Sequence, residues 1–184
     1  MKKIIATFVI ALATISASAQ TYVGGSLGFT STDVEGQDKS LTQIMIAPEI
    51  GYNLNDQWAL GIGVGYSYTK QESSLNAISV APYARYTVAK TGKFSFYVDG
   101  EFAFVSAKPE EGDSYTGWSL GLKPGVRFDI TDKVFATASL GFLGYQDASD
   151  FEGGKTFGLV FSGSGSNYFD ITNSGLKLGL YYNF

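Results

Sequence analysis

The sequence predicts an all-β protein, an eight-stranded antiparallel up-and-down transmembrane β-barrel, and three observations support this prediction. After about residue 20, apolar residues alternate with polar or small ones in segments of roughly ten residues, which is the signature of a membrane barrel. The composition agrees, because Gly accounts for 23 of 184 residues and aromatics for 15%, whereas Pro occurs only 4 times. Within the segments, every charged residue falls on the polar side of the alternation.

The first nineteen residues are expected to be a secretory signal peptide. Lys2 and Lys3 precede an apolar run that is too short for a membrane-spanning helix, and Ala17 and Ala19 form the small-x-small pattern of a cleavage site. Cleavage there leaves residues 20–184 as a single domain. Of the 13 basic residues, 13 − 2 = 11 then remain against 17 acidic residues, so the net charge is 11 − 17 = −6. This charge argues against nucleic acid as a partner.

Turn residues separate the eight predicted strands. In the seventh, the apolar parity runs through Ala136, Ala138 and Leu140 to Phe142, so Phe142 is expected to face lipid. The predicted strands are Thr21–Thr30, Leu41–Leu54, Trp58–Thr69, Ala77–Val88, Phe94–Val105, Trp118–Ile130, Val134–Tyr145 and Lys177–Phe184.

The charges on the inward parity predict a network inside the barrel. An Arg or Lys facing lipid at the midplane costs about 2 to 4 kcal/mol, and a one-residue slip would expose all of them. Eight strands enclose a lumen only wide enough for side chains, where buried charges must be paired. Arg85 and Arg127 are expected to pair with Asp99 and Glu101. The predicted network comprises four acids and four bases: Glu49, Arg85, Asp99, Glu101, Lys123, Arg127, Asp129 and Lys177.

Two motifs indicate the family. Lys177, Gly179, Tyr182 and Phe184 have the spacing of the C-terminal insertion signal of Gram-negative outer-membrane barrels, which they resemble. In addition, an aliphatic-x-Pro-x-apolar-x-aromatic pattern recurs around Pro48, Pro82 and Pro124. Because proline forfeits a hydrogen bond between strands, we expect a local bulge at each.

Together with the signal peptide, these motifs resemble the small outer-membrane β-barrel domain family, whose members include proteins like outer membrane proteins A and X. The resemblance covers essentially all of residues 21–184. It implies an integral outer-membrane protein in contact with lipid and lipopolysaccharide. It also implies that the barrel-assembly machinery recognises the C-terminal strand, and we expect a monomer.

Connection lengths predict the orientation. The turns Asn55–Gln57, Ala89–Lys93 and Thr131–Lys133 are short and should be periplasmic, together with both termini. The connections at the other end are mostly longer and should be extracellular. In the last one we expect a β-hairpin with its tip at Gly163–Gly165, and a ten-stranded barrel is the alternative. The predicted extracellular connections are Ser31–Ser40, Lys70–Asn76, Ser106–Gly117 and Gln146–Asn173.

The functional prediction is a non-enzymatic barrel with a structural or surface-interaction role and extracellular loops available to a ligand. The chain has neither His nor Cys, which removes His-assisted nucleophiles, thiol nucleophiles and His-bearing metal sites. No catalytic, cofactor-binding or metal-binding residue is predicted. Asp99 and Glu101 on one strand face could serve paired-carboxylate chemistry, but ion pairing is the favoured interpretation. The alternatives are a small passive diffusion channel, which needs a continuous wet lumen, and an outer-leaflet enzyme, which needs a convergent reactive cluster.

The inward glycines of Gly61–Gly65 have a steric interpretation. We expect them to make room for Tyr83, Tyr97 or Tyr181 across the narrow lumen.

Overall fold

The structure is a computed structural model, and it describes residues 20–32, 41–70, 74–110, 112–148, 154–160 and 176–184. The predicted signal peptide and the predicted hairpin tip at Gly163–Gly165 lie outside these residues. Within them, no helix has the length and hydropathy needed to cross a bilayer.

The chain forms a closed antiparallel barrel with eight positions in its wall. Strands β1 to β6 are neighbours in sequence order, and β10 closes the wall by pairing with β1 and β7. β7 and β8 both pair with β6, at its two ends, and together form the seventh wall strand. β9 pairs with β8. The strands are β1 (Thr21–Thr32), β2 (Leu41–Asn53), β3 (Trp58–Lys70), β4 (Ser74–Thr91), β5 (Phe94–Pro109), β6 (Tyr115–Asp129), β7 (Val134–Leu140), β8 (Phe142–Ala148), β9 (Gly154–Val160) and β10 (Leu176–Asn183).

The alternation predicted from sequence places apolar side chains on the outside and polar or small ones in the lumen. On β3, for example, Leu60 and Ile62 are exposed to the lipid side, whereas Ala59 and Ser67 are buried inside. A lipid-facing surface must be apolar because hydrocarbon offers no hydrogen-bond partners. The period of two therefore specifies both faces of the wall.

The seventh wall strand departs from this prediction at Gly141. Gly125 pairs with Ser139 and Leu122 with Leu143, so β7 and β8 place one more residue between these pairs than β6 does. Gly141 has φ +69°, a left-handed conformation that favours glycine. This bulge reverses the inward parity, and the expectation that Phe142 faces lipid is wrong. Phe142 is fully buried in the lumen, and Leu143 faces outward.

The prolines do not each create a bulge, as the sequence had suggested. The β2–β3 register is the same on both sides of Pro48, and the β4–β5 register is the same on both sides of Pro82. At these positions the strand pairing is only interrupted, because proline lacks the N–H that would donate. A register shift accompanies only Pro124, where the extra residue belongs to the partner strand. A further bulge in the fourth wall strand lies at Val88, between Thr87 and Ala89.

Three tight turns lie at one end of the barrel, and we call this end the short-turn end. Asn55 caps its turn by accepting hydrogen bonds from the backbone N–H groups of Gln57 and Trp58. The predicted turn Ala89–Lys93 is shorter, because Thr91 already pairs with Phe94 around Gly92, whose φ is +56°. Both barrel termini lie here, as the Phe184 N–H donates to the Thr21 carbonyl.

Strands reach further at the opposite end than predicted. β5 continues to Pro109 and β6 begins at Tyr115, inside the predicted connection Ser106–Gly117. Lys70 pairs with Ser74, so the β3–β4 connection is as short as the turns at the other end. At this end the Ser74 hydroxyl and N–H donate to the Glu110 carboxylate over 2.8 and 3.3 Å, which lowers the pKa of Glu110.

Candidate functional site

Arg85 and Asp99 form a buried ion pair in the lumen. They are direct cross-strand partners on β4 and β5. Nε and Nη2 of Arg85 donate to the two Asp99 oxygens over 2.7 and 2.8 Å, which is bidentate geometry. The guanidinium also lies 3.9 Å from the centre of the Tyr97 ring. Both charged side chains are nearly inaccessible, so this pair is held in a medium where breaking it is costly.

Two further pairs lie in the same section of the lumen. Lys123 Nζ contacts Glu101 at 2.5 Å, with both side chains buried. Lys177 Nζ lies 3.5 Å from Glu49, whose other oxygen accepts a hydrogen bond of 2.9 Å from Tyr181. Asp99 and Glu101 thus each contact a base, which agrees with the ion-pair interpretation of these carboxylates.

The fourth pair differs from the expectation. Arg127 contacts neither Asp99 nor Glu101. Its Nε donates to Asp129 over 2.7 Å on the same strand, and its guanidinium stacks 3.7 Å from the centre of the Phe135 ring. Its side chain is 24% exposed because it lies close to the short-turn end, where the partner two residues away is nearer than any carboxylate of the central lumen. The predicted eight charges are therefore brought together as four pairs.

Aromatic rings fill the lumen beside these charges. The hydroxyl groups of Tyr22 and Tyr83 form a hydrogen bond of 2.8 Å. Phe135 stacks on Tyr181 with ring centres 5.0 Å apart, and Tyr22 packs edge-on against both. This arrangement brings rings from β1, β4, β7 and β10 into contact across the barrel.

Most of these rings lie on a glycine of the neighbouring strand, a signal that sequence reasoning used only in part. Gly61 pairs directly with Tyr83, as one of the expected possibilities, and a Cβ there would overlap the ring. The other pairs were missed. Tyr97 lies on Gly125, Tyr22 on Gly51 and Tyr181 on Gly24, each directly opposite on the neighbouring strand. Scanning for inward Tyr directly opposite inward Gly would have found them once the register was known.

Between the ion pairs lies a cavity of about 30 Å³. A water molecule needs roughly 10 to 15 Å³ by this measure, so the space suits about two waters. Arg85 Nη1 and the hydroxyls of Ser26 and Ser79 are buried and have no protein hydrogen-bond partner among the described residues. The lumen is therefore closed here by side chains, with room for individual waters.

The two ends of the lumen differ. Beyond the ion pairs, on the side away from the short turns, Phe142 packs on Gly121 and Gly144. Further along, Ala77, Val105 and Ala107 form a small apolar cluster. At the short-turn end, by contrast, a vestibule of about 370 Å³ reaches inward. It is lined by charged, amide, hydroxyl and aromatic residues, among them Arg85, Lys90, Arg127, Gln20, Asn53, Asn55, Gln57, Tyr22 and Tyr97.

Three residues of the predicted assembly signal lie on β10 at the closing seam of the wall, and the fourth, Phe184, directly follows this strand. Tyr182 faces outward and packs edge-on against Phe184, with ring centres 5.3 Å apart. Gly179 and Lys177 face the lumen. Ala17 and Ala19 of the predicted cleavage site lie outside the described residues. Among the residues that are described, no group of three or more acidic side chains could hold a metal ion.

Comparison with known proteins identifies the family. A family model described as the outer membrane protein beta-barrel domain matches residues 4–184. The chain is similar to the crystal structure of Neisserial surface protein A, with a TM-score of 0.54 and 17% identity, covering 91% of this chain and 98% of that one. It is also similar to a loop L8 deletion mutant of OmpT, an outer membrane protein of Vibrio cholerae, with a TM-score of 0.40 and 15% identity, over 90% of this chain and 50% of that one. No match was found among curated proteins. The chain belongs to the outer membrane protein beta-barrel domain family and is an integral protein of the outer membrane.

Proposed function

We propose that this barrel is a non-enzymatic protein with a structural or surface-interaction role, and that its lumen does not pass solutes steadily. The observation that carries the proposal is the set of ion pairs around a cavity of only about 30 Å³. A hydrated solute would have to separate these pairs, and leaving a buried charge uncompensated costs roughly 3 to 5 kcal/mol. The pairs join β4 to β5, β5 to β6 and β2 to β10, so they also tie the wall together.

The alternative of a small diffusion channel has one supporting observation, the vestibule at the short-turn end. It extends inward as far as Tyr22, Tyr97 and Arg85. Beyond that level the rings and ion pairs close the lumen, which favours the plugged state.

Conductance of the purified protein in planar bilayers tests the proposal. We expect no stable openings for the wild type. The double variant Arg85→Ser/Asp99→Ser removes the central pair and should produce openings. The matched control Arg127→Ser/Asp129→Ser removes a pair near the mouth and should stay closed. Large, stable openings of the wild type would refute the plug and support the diffusion channel.

The surface role is proposed for the end opposite the short turns. In outer-membrane barrels short turns lie on the periplasmic side, so the other end would face the medium and contact lipopolysaccharide and external ligands. A small epitope inserted at Gly163–Gly165 should be labelled on intact cells, while one inserted at Asp56 should not. Labelling of Asp56 alone on intact cells would reverse the orientation.

We propose that assembly depends on recognition of the C-terminal strand by the barrel-assembly machinery, and that the assembled protein is a monomer. Deleting Phe184 should leave export intact and lower the amount of heat-modifiable barrel in the outer membrane. Deletion removes the Phe184 ring from Tyr182 and the hydrogen bond to Thr21, both at the seam. The measurement is cell fractionation followed by electrophoresis with and without heating. An undiminished barrel would contradict the role.

A further inference from the structure

The vestibule at the short-turn end is lined by several charged side chains. The chain contains two arginines, Arg85 and Arg127, and both line this space, together with Lys90. Its acidic lining residues are Asp56, in the exposed turn, and Asp129. Asp99 and Asp129 already balance the two arginines, so an anion in the vestibule would be held by the remaining donors of Arg127 and by Lys90. The volume of about 370 Å³ lies within the range of small-molecule sites.

The arginines keep donors that the protein does not use. Asp129 engages only Nε of Arg127, so the Nη1 and Nη2 edge of this guanidinium has no acceptor within the described residues. The Phe135 ring supports the guanidinium from one face, which restricts its orientation. Such a fixed two-nitrogen edge matches the two oxygens of a carboxylate or phosphate.

Arg85 lies at the inner end of the vestibule. It is only 7% exposed, yet Nη1 has no hydrogen-bond partner in the described part of the protein, while its other nitrogens hold Asp99. Nη1 itself has almost no accessible surface, so a solute in the vestibule can interact with the charge of Arg85 but cannot accept a hydrogen bond from this nitrogen. Around these cations, the side-chain amides of Asn53, Asn55 and Gln57 line the vestibule, and each NH2 group carries two donor hydrogens, of which Asn53 and Gln57 already use one.

From this geometry we propose that the vestibule is a binding site for one small solute bearing an oxyanion, either a carboxylate or a phosphate. The Arg127 edge and the Lys90 ammonium contact the anion, and Arg85 stabilises it from the floor. The amide side chains at the rim hold the polar remainder of the solute. On the orientation proposed above, the site is open to the periplasm, and it does not require solute to cross the lumen.

Selective labelling tests the site directly, because the chain's two arginines both lie in it. Mature protein with ¹⁵N-labelled arginine, folded in detergent micelles, is titrated with inorganic phosphate, with acetate, and with sodium chloride at matched ionic strength. We expect saturable shifts of the Arg127 and Arg85 Nε–H signals with phosphate, acetate or both, and none with chloride. The anion that binds with the higher affinity shows whether the site prefers a phosphate or a carboxylate. The absence of any saturable shift, or identical shifts with chloride, would overturn the proposal.

Variants separate a site from general charge screening. Arg127→Gln should weaken binding about tenfold or more, as expected for a lost charge-assisted hydrogen bond. Lys90→Gln should weaken it about two- to fivefold. Lys93→Gln is the control, because Lys93 is equally exposed in the adjoining turn but does not line the vestibule. If Lys93→Gln weakened binding as much as Lys90→Gln, the proposal would be wrong. This comparison remains decisive even where Arg127→Gln folds poorly.

Discussion

Breaking the Arg85–Asp99 pair tests how the lumen is held together. Arg85→Ala leaves Asp99 buried without its bidentate partner, and Asp99→Ala leaves the guanidinium uncompensated. With side chains only 8% and 10% exposed, each single change should lower the free energy of unfolding by about 3 to 5 kcal/mol. The double variant leaves neither charge behind, so it should cost less than the sum, with a coupling of about 2 kcal/mol. The contact of Arg85 with Tyr97 cancels, since it is absent both from the single Arg85 variant and from the double variant.

The assay is urea unfolding of the protein folded in phospholipid vesicles, followed by tryptophan fluorescence and by electrophoretic heat modifiability. The control is the same cycle on Arg127 and Asp129, which are 24% and 39% exposed and should couple by no more than about 1 kcal/mol. Strictly additive effects for Arg85 and Asp99 would refute the idea that the buried pair acts as a unit. Equal coupling in both cycles would show that burial does not set the strength of the pair.

Three further predictions use matched neighbours or a pH titration. Phe142→Ala should destabilise the barrel by about 3 to 5 kcal/mol because it empties a filled part of the lumen. Leu143 faces lipid, so Leu143→Ala should lower the free energy of unfolding clearly less in the same urea assay. Equal losses of stability in the two variants would contradict the reversed parity. Gly125→Ala should cost about 1 to 3 kcal/mol because a Cβ would overlap the Tyr97 ring, whereas Gly100→Ala, with its nearest atoms at 3.9 Å, should be nearly neutral for packing. Because hydrogen bonds from Ser74 lower the pKa of Glu110, the Ser74 amide should stay protected from exchange above the usual glutamate pKa and lose protection as pH falls through the lowered one. Carboxyl NMR should show that Ser74→Ala returns the Glu110 pKa toward its usual range, and an unchanged pKa would rule out Ser74 as the cause.

The wall of the barrel could be predicted from sequence because the membrane imposes a strict condition at every second residue. Arg85, Lys123 or Arg127 would each cost about 2 to 4 kcal/mol if it faced lipid, so the positions of these charges in the sequence indicate which residues face inward. Strand number and the identity of the inward charges follow from the same condition. The ends of the strands were harder to predict, because a strand can continue past the edge of the hydrocarbon. β5, for example, continues to Pro109.

Partners within the lumen could be predicted only in part. Arg85 and Asp99 are joined as expected, since they face each other in adjacent strands. Arg127 was assigned the wrong carboxylates, because the choice depends on height in the barrel, which the stagger between strands sets and the sequence does not state. The bulge at Gly141 could not be predicted either, because Phe142 and Leu143 are both apolar, so either could face lipid until the register with β6 is known.

That single inserted residue has a consequence for the whole lumen. Without this bulge, Phe142 and Gly144 would both lie on the lipid-facing parity, and Gly121 would lose the ring that packs on it beyond the Lys123–Glu101 pair. With it, the lumen is filled in three ways along its axis: tyrosines lying on glycines, ion pairs in the middle, and Phe142 with small apolar side chains beyond. The filling is least complete at the short-turn end, where the vestibule reaches Arg85. A solute can therefore approach the buried charges from that side, while Phe142 and the apolar cluster stand between the charges and the opposite end. This asymmetry is compatible with a closed lumen and with an anion site at one mouth, because the site ends where the plug begins.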